Sequence, residues 1–410
     1  MDTLTRRRFL IAGGITGGAA LAAGATTLGL GDILRTAGDR DPAAKTLVMV
    51  TLYGGNDGLN TVVPYEDPAY AAARAGMTYE PEALLGLGDG VALNPGLPGL
   101  HRLFGENRLA VIRGVGYPRP NRSHFQSMDI WQTAQPDRPG TTGWLGRWLD
   151  SAGGDPRLAV SFEPVLPPLL AGATSAGATV PGGTLALPKS AGPAVLKALG
   201  TPAPGESPSQ ARAAACFADL VRVRDLMAQV GGETPADDDS DQPATATGGA
   251  AAPLDRQLAL VTRCIEAGAA TRVYSVSLGG FDLHAGGRDV QQAQLARLDG
   301  PLTAFADRMS GRGVVVAVYS EFGRRVRANA SDGTDHGTAS DVFLLGDGVR
   351  GGLHGEPPSL TDLDDGDLKH TVDFRDIYAS LLTGVLGADP DRILGGWTGH
   401  LDGVLGTMGR

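Results

Sequence analysis

The chain has 410 residues, 42% of them apolar and 20% charged, with 61 glycines, 27 prolines and a net charge of −10. That length can bury a large core, and the glycine and proline content stays below that of low-complexity chains. The acidic balance, with no basic stripe interleaved with aromatics, argues against nucleic acid as a partner.

Residues 5–10 read TRRRFL and lead into an uncharged stretch from Phe9 to Gly31. Paired arginines ahead of a glycine-rich, mildly hydrophobic segment resemble a twin-arginine export signal. Residues 1–31 are therefore expected to be a signal peptide, with small residues for cleavage at Ala23-Gly24-Ala25. The partner this implies is the twin-arginine export machinery. The destination is the periplasm, cell envelope or exterior, with no stable membrane anchor once the signal is removed. An uncleaved signal would instead leave a membrane-anchored component.

A single α/β domain is expected over residues 45–395. Lys45–Tyr53 reads as the first strand, followed by Gly-Gly-Asn-Asp with Asp57 at its tip. Residues 64–107 read as loop-rich. Leu109–Gly114 and Leu158–Phe162 read as strands, and a helix starts near Ser123. Residues 163–210 are rich in Pro, Gly and Ala, a surface or cleft rim. A helix is expected over Ala211–Val230 and an acidic linker or insertion over residues 231–253. Leu254, Leu258, Val261 and Ile265 then recur at helical spacing.

The second half is more regular. Arg272–Leu278 is a strand followed by GGFDLH, and Val314–Tyr319 is a β-branched run ending at Glu321. Between them Leu295, Leu298, Leu302, Phe305 and Met309 mark a helix that Gly300-Pro301 should kink or split. A strand over 342–346 precedes a helix from Phe374 to Val385, with Asp373 as N-cap and Gly387 past its end. Strands alternating with helices predict a mostly parallel central sheet with helices on both faces. Cys216 and Cys264 both look helical, and a disulfide or two isolated buried thiols are equally compatible with the sequence.

Parallel sheets place their chemistry beyond the carboxyl ends of the strands. Three strands here end in metal-type ligands: Asp57 after the first, Asp282 and His284 after GG, and Glu321, with Asp335 and His336 returning after a short loop. Asp282, His284 and His336 suit one cation, and Asp57 and Glu321 a second. Asp335 would serve either site or orient a histidine. Taken singly, Asp57 reads equally as a turn residue, and Glu321 as a partner of Arg324 or Arg325. Ser123 is the candidate nucleophile at a helix start, although Ser123-His124-Phe125-Gln126 also fits a capping box. Arg324 and His124 are the candidate substrate-binding residues, with a solvated basic face as the plainer use of Arg324. His354 and His370 are spare histidines.

GGNDGLNTVVPY, the Ser-His of RSHF, GGFDLH, SEFGRRVRANASDGTDHG and TVDFRDIYASLL together resemble the bacterial family known as domain of unknown function 1501. The resemblance runs from about residue 45 to 395. It implies kinship to the alkaline phosphatase and sulfatase superfamily, and hence an alkaline-phosphatase/sulfatase-like α/β fold. It also implies hydrolysis of phosphate or sulfate esters with one or two divalent metal ions (Zn, Mn, Ca or Mg). By that resemblance Asp57 is the first-strand acid, Ser123 the nucleophile, Asp282 and His284 part of one metal site, and His336 the later histidine. Glu321-Phe322 stands where the superfamily has Asp-His, which points to a harder ion, a single metal or none. Two readings follow: an exported metal-dependent hydrolase, or a catalytically inactive phosphatase-like scaffold that binds an envelope polymer or partner protein. The first predicts that removing His284 abolishes metal binding and activity together.

Overall fold

The central strands are buried along almost their whole length and leave no face for water, so helices must cover both sides. The computed structural model describes residues 26–138, 140–163, 165–180 and 252–406. Its main sheet has ten strands: β1 (Thr26–Thr27), β2 (Thr46–Leu52), β3 (Leu109–Gly116), β4 (Ala159–Ser161), β5 (Ala178–Thr179), β6 (Val273–Leu278), β7 (Val314–Ser320), β8 (Ser340–Gly346), β9 (Gly352–His354) and β10 (Val372–Asp373). Their order is β1-β5-β4-β6-β2-β7-β8-β3-β9, and β10 also pairs with β3. Only β8 runs antiparallel to its neighbours. At the centre Val48 lies opposite Tyr274 on one side and Val316 on the other.

Side chains alternate between two cores. Leu47, Met49, Val315, Ala317 and Tyr319 face a layer formed by helices α3 (His124–Thr133), α4 (Trp144–Ser151) and α7 (Phe374–Leu381), whose Trp131, Trp144, Leu149 and Ile377 pack there. Val48, Val50, Leu52, Val316 and Val318 face the other layer, from helices α2 (Pro98–Gly105), α5 (Leu254–Glu266) and α6 (Gly287–Arg308). A short helix α1 (Gly58–Thr61) follows the end of β2. Each fully buried large apolar side chain contributes roughly 1.5–3 kcal/mol, so this two-sided packing dominates the stability. The result is the expected α/β architecture, a mostly parallel sheet with helices on both faces.

Several local expectations change. The folded unit starts before residue 45, since β1 pairs in the sheet and Ile33 is buried. It thus reaches into the stretch read as signal peptide. Residues 64–107 are not merely loop: they hold a helix (Pro68–Ala73), α2, and strands Leu85–Gly88 and Val91–Leu93, which form a small sheet with Val62–Val63. Helix α6 runs unbroken through Gly300-Pro301, because Leu295, Leu298, Leu302 and Phe305 bury on both sides of the proline. Asp373 caps α7 by accepting from Arg375 N–H at 3.0 Å, and Gly387 adopts φ +67° beyond it. Cys264 is buried. The twin-arginine motif, the cleavage triplet, the helix expected over 211–230 with Cys216, and the acidic insertion up to residue 251 lie outside the described residues. No helix of the described residues is long and apolar enough to cross a membrane.

Candidate metal centre

β2, β3, β6 and β7 share one direction, so their carboxyl ends open on the same edge of the sheet. β8 runs the other way and starts at that edge, which is why His336 arrives there before its strand. Two glycines make room for the convergence. Gly54 and Gly55 have φ +116° and +72°, and a Cβ on either would strike the Asp282 backbone at 2.5 Å or the Phe322 ring at 2.3 Å. Gly54 N–H donates to Glu321 Oε1 at 2.9 Å, tying the end of β2 to the end of β7.

Three side chains meet above this floor. Ligand atoms of His124, Asp282 and His336 all lie within 4.8 Å of one another. His336 Nε2 is 3.1 Å from Asp282 Oδ1, and His124 Nε2 is 3.4 Å from the same oxygen. His284 Nε2 joins them at 2.9 Å from Asp282 Oδ1 and 3.1 Å from His336 Nε2. The rings are oriented from behind. His124 Nδ1 bonds Glu321 Oε1 at 2.8 Å, and His336 Nδ1 bonds the Arg122 carbonyl at 2.9 Å. Both partners are acceptors, so each Nδ1 donates, and each Nε2 is turned inward towards Asp282. His124 Nε2 is buried and makes no hydrogen bond, with Asp282 Oδ1 3.4 Å away as its charged neighbour. The Phe322 ring packs against His124 and His336 at centroid distances of 4.8 and 4.9 Å.

The donor set fits a metal ion. Zinc binds nitrogen and carboxylate oxygen at about 2.0–2.2 Å, which puts tetrahedral ligands about 3.3 Å apart, and Asp282 Oδ1 lies 2.9–3.4 Å from the Nε2 atoms of the three histidines. Electrostatics points the same way. Burial pulls the His124 pKa down, but the carboxylates of Asp282 and Glu321 more than offset this and push it up to about 9. Burial raises the Asp282 pKa, yet His124, His336 and Arg324 together hold it well below the usual carboxylate range. The two carboxylates thus favour a positive charge at the His124 ring.

The remaining expected residues take other places. Asp57 has a guanidinium where the sequence suggested a cation: Arg74 grips both its oxygens, at 2.6 and 3.0 Å, and both residues are buried. Glu321 is fully buried and bound to Gly54 N–H, Ser320 Oγ and His124, so it orients a ligand and is not placed as one. Arg324 is neither exposed nor open to substrate. Its Nη2 donates to Asp282 Oδ1 at 2.8 Å and to the carbonyls of Gly54 and Phe281, while Nε and Nη1 donate to those of Gly55 and Thr334. Asp335 is exposed, 3.7 Å from His284 Nδ1. Ser123 starts α3 but does not cap it, and its expected box partner Gln126 accepts from Asn121 Nδ2 instead. Among the described residues the Ser123 hydroxyl makes no hydrogen bond, one residue from His124. His354 bonds the Arg350 carbonyl on β9. The sequence reading missed His124 as a ligand and Arg74 altogether. The first could have been found from a histidine at a helix start beside the strand ends, but nothing local marks the second.

The family described as "Protein of unknown function (DUF1501)" matches residues 115–406. No curated protein matches the sequence. Among solved structures, the C-terminal periplasmic domain of EcEptC from Escherichia coli, in complex with Zn, is similar at 10% identity over 75% of this chain and 74% of that one. Its TM-score is 0.36, a likeness too slight to carry any argument about this site.

Proposed function

The chain belongs to the DUF1501 family of proteins of unknown function, and from its site we propose a metal-dependent hydrolase of phosphate or sulfate esters that uses one zinc-class ion. The observation that carries this reading is the convergence of His124 Nε2, His336 Nε2 and Asp282 Oδ1, each held from behind by Glu321, the Arg122 carbonyl or Arg324. Imidazole-rich sites suit zinc better than Mg²⁺ or Ca²⁺, which prefer oxygen. One ion is proposed because Asp57 is neutralised by Arg74 and Glu321 is committed to His124. Export by the twin-arginine route to the periplasm, envelope or exterior belongs to the same proposal, resting on TRRRFL.

A bound zinc ion supplies the Lewis acidity that polarises an ester oxygen. The chain's own residues do the rest. Ser123, uncommitted at the start of a ten-residue helix whose N–H groups and dipole favour an anion, is the nucleophile. His284, half-exposed on a loop beside Asp282 and His336, would add a further nitrogen donor for that ion. Phe322 shields the inner side of the cluster from water.

The test is elemental analysis after zinc equilibration, followed by turnover of p-nitrophenyl phosphate and sulfate. One equivalent of zinc is expected, lost in His336→Ala and retained with about tenfold weaker affinity in His284→Ala. Protein that takes up no zinc overturns the metal site. Zinc-loaded protein that turns over neither ester favours the scaffold reading, which the Glu321-Phe322 sequence at the end of β7 supports.

A further inference from the structure

The twin-arginine route proposed above, on which this inference rests, carries proteins that have already folded. A signal peptidase would therefore meet this chain with its sheet formed, and the fold decides whether the bond after Ala23-Gly24-Ala25 can be reached. That bond joins Ala25 to Thr26, and Thr26 is the first residue of β1. β1 lies at the outer end of the main sheet, where Thr26 pairs with Ala178 and Thr27 with Thr179. Leu28 N–H then donates to the Thr179 carbonyl at 3.2 Å.

The residues beyond β1 give the strand little slack. Leu28, Leu30 and Leu34 pack against the core layer that holds Val48 and Val50, and Ile33 is fully buried there. Thr36 is buried too, and its Oγ1 donates to the Ile33 carbonyl at 2.6 Å and accepts from Ala270 N–H at 3.2 Å. A protease holds residues on each side of the bond it cuts, so backbone already paired in a sheet must first come free. Releasing Thr26 and Thr27 alone supplies roughly 7 Å of chain. Releasing much more would bring Ile33 into water. We infer that β1 shields the Ala25–Thr26 bond, so that the exported protein keeps residues 1–25 and stays on the outer face of the membrane. Phe9–Ala25 carries no charge, and its length is at the lower end of the roughly 17–25 residues that cross the apolar core of a bilayer. Arg6, Arg7 and Arg8 precede it, an arrangement that keeps the N-terminus inside and sends the following domain outward.

The test follows the full chain with its own signal in a bacterium that has a working twin-arginine route. Cell fractions are separated, membranes are washed with alkaline carbonate, and the protein's intact mass is measured in each. Wild-type protein is expected at full-length mass in the membrane fraction, open to protease added from outside. A flexible Gly-Ser spacer of about six residues between Ala25 and Thr26 moves the bond away from β1 and leaves the strand itself intact. Its processed fraction should rise severalfold, with release from the membrane. The same spacer between Asp41 and Pro42, exposed residues beyond the anchored segment, should leave processing as in wild type. Wild-type protein cut before Thr27 as fully as the first spacer variant overturns the inference. A first spacer variant that stays uncut also overturns it, because β1 is then not what protects the bond. Full-length wild-type protein in the soluble exported fraction overturns it as well. Wild-type protein that never leaves the cytoplasm overturns the export reading and this inference with it, an outcome that fractionation tells apart from cleavage outside.

Discussion

Glu321 illustrates how the role of a carboxylate follows from its neighbours. At a strand end beside histidines it reads as a metal ligand, yet full burial obliges it to satisfy Gly54 N–H, Ser320 Oγ and His124 Nδ1 first. Carboxylates that back metal-bound histidines typically contribute 10–100-fold to metal affinity. Glu321→Gln keeps the shape and loses the charge, so zinc affinity measured by isothermal titration should fall about tenfold with the fold retained. Asp57 makes the complementary case. Removing one partner of a buried ion pair costs about 3–5 kcal/mol. Arg74→Met should therefore lower urea stability by at least about 3 kcal/mol while leaving zinc affinity unchanged, and an equal loss of zinc would return Asp57 to the ligand set. Residue types at strand ends were legible in the sequence, and they correctly brought Asp282, His284 and His336 to one edge. Which acids are met by arginine, Asp57 by Arg74 and Asp282 by Arg324, is set by tertiary contact that the sequence does not display.

At the level of elements, long apolar runs identified themselves: β2, β3, β6 and β7 lie where continuous β-branched and aliphatic stretches put them. Short strands and turns of residues 62–93 were not legible, since two- to four-residue pairings have no periodicity to read. Helix α6 was expected to break at Pro301, but tertiary burial on both sides outweighed the lost hydrogen bond. The end of β4 carries a feature with a pH consequence. Glu163 is buried among the hydroxyls of Tyr53, at 3.2 Å, and Ser275, at 2.9 Å. Burial, only partly countered by those hydrogen bonds, pushes its pKa up to about 7 from an ordinary 4.5. A carboxyl raised on folding contributes stability that is complete below its unfolded pKa and is lost as pH rises through the folded one. Wild-type protein should thus lose up to about 3 kcal/mol of Glu163-linked stability between pH 4.5 and 7. Glu163→Gln should lack that component, as seen by comparing urea midpoints of the two proteins across the range.

For the whole molecule, the decisive contacts join distant stretches of chain. β2 precedes the region matched by the family, residues 115–406, yet it is the strand on which β6 and β7 both pair. A fragment of residues 115–410 should accordingly show no cooperative urea transition by circular dichroism, and a cooperative one would mean that the sheet closes without its centre. The pairing of β2 with β7 also sets a timetable for synthesis. Thr51 and its partner Tyr319 are 268 residues apart, so β2 leaves the ribosome long before either of its neighbours exists. Until Val273 emerges, both edges of a seven-residue apolar strand lack their native partners, a state prone to aggregation. Closing so large a loop is slow, and the centre of the sheet cannot be completed until Ser320 has been made.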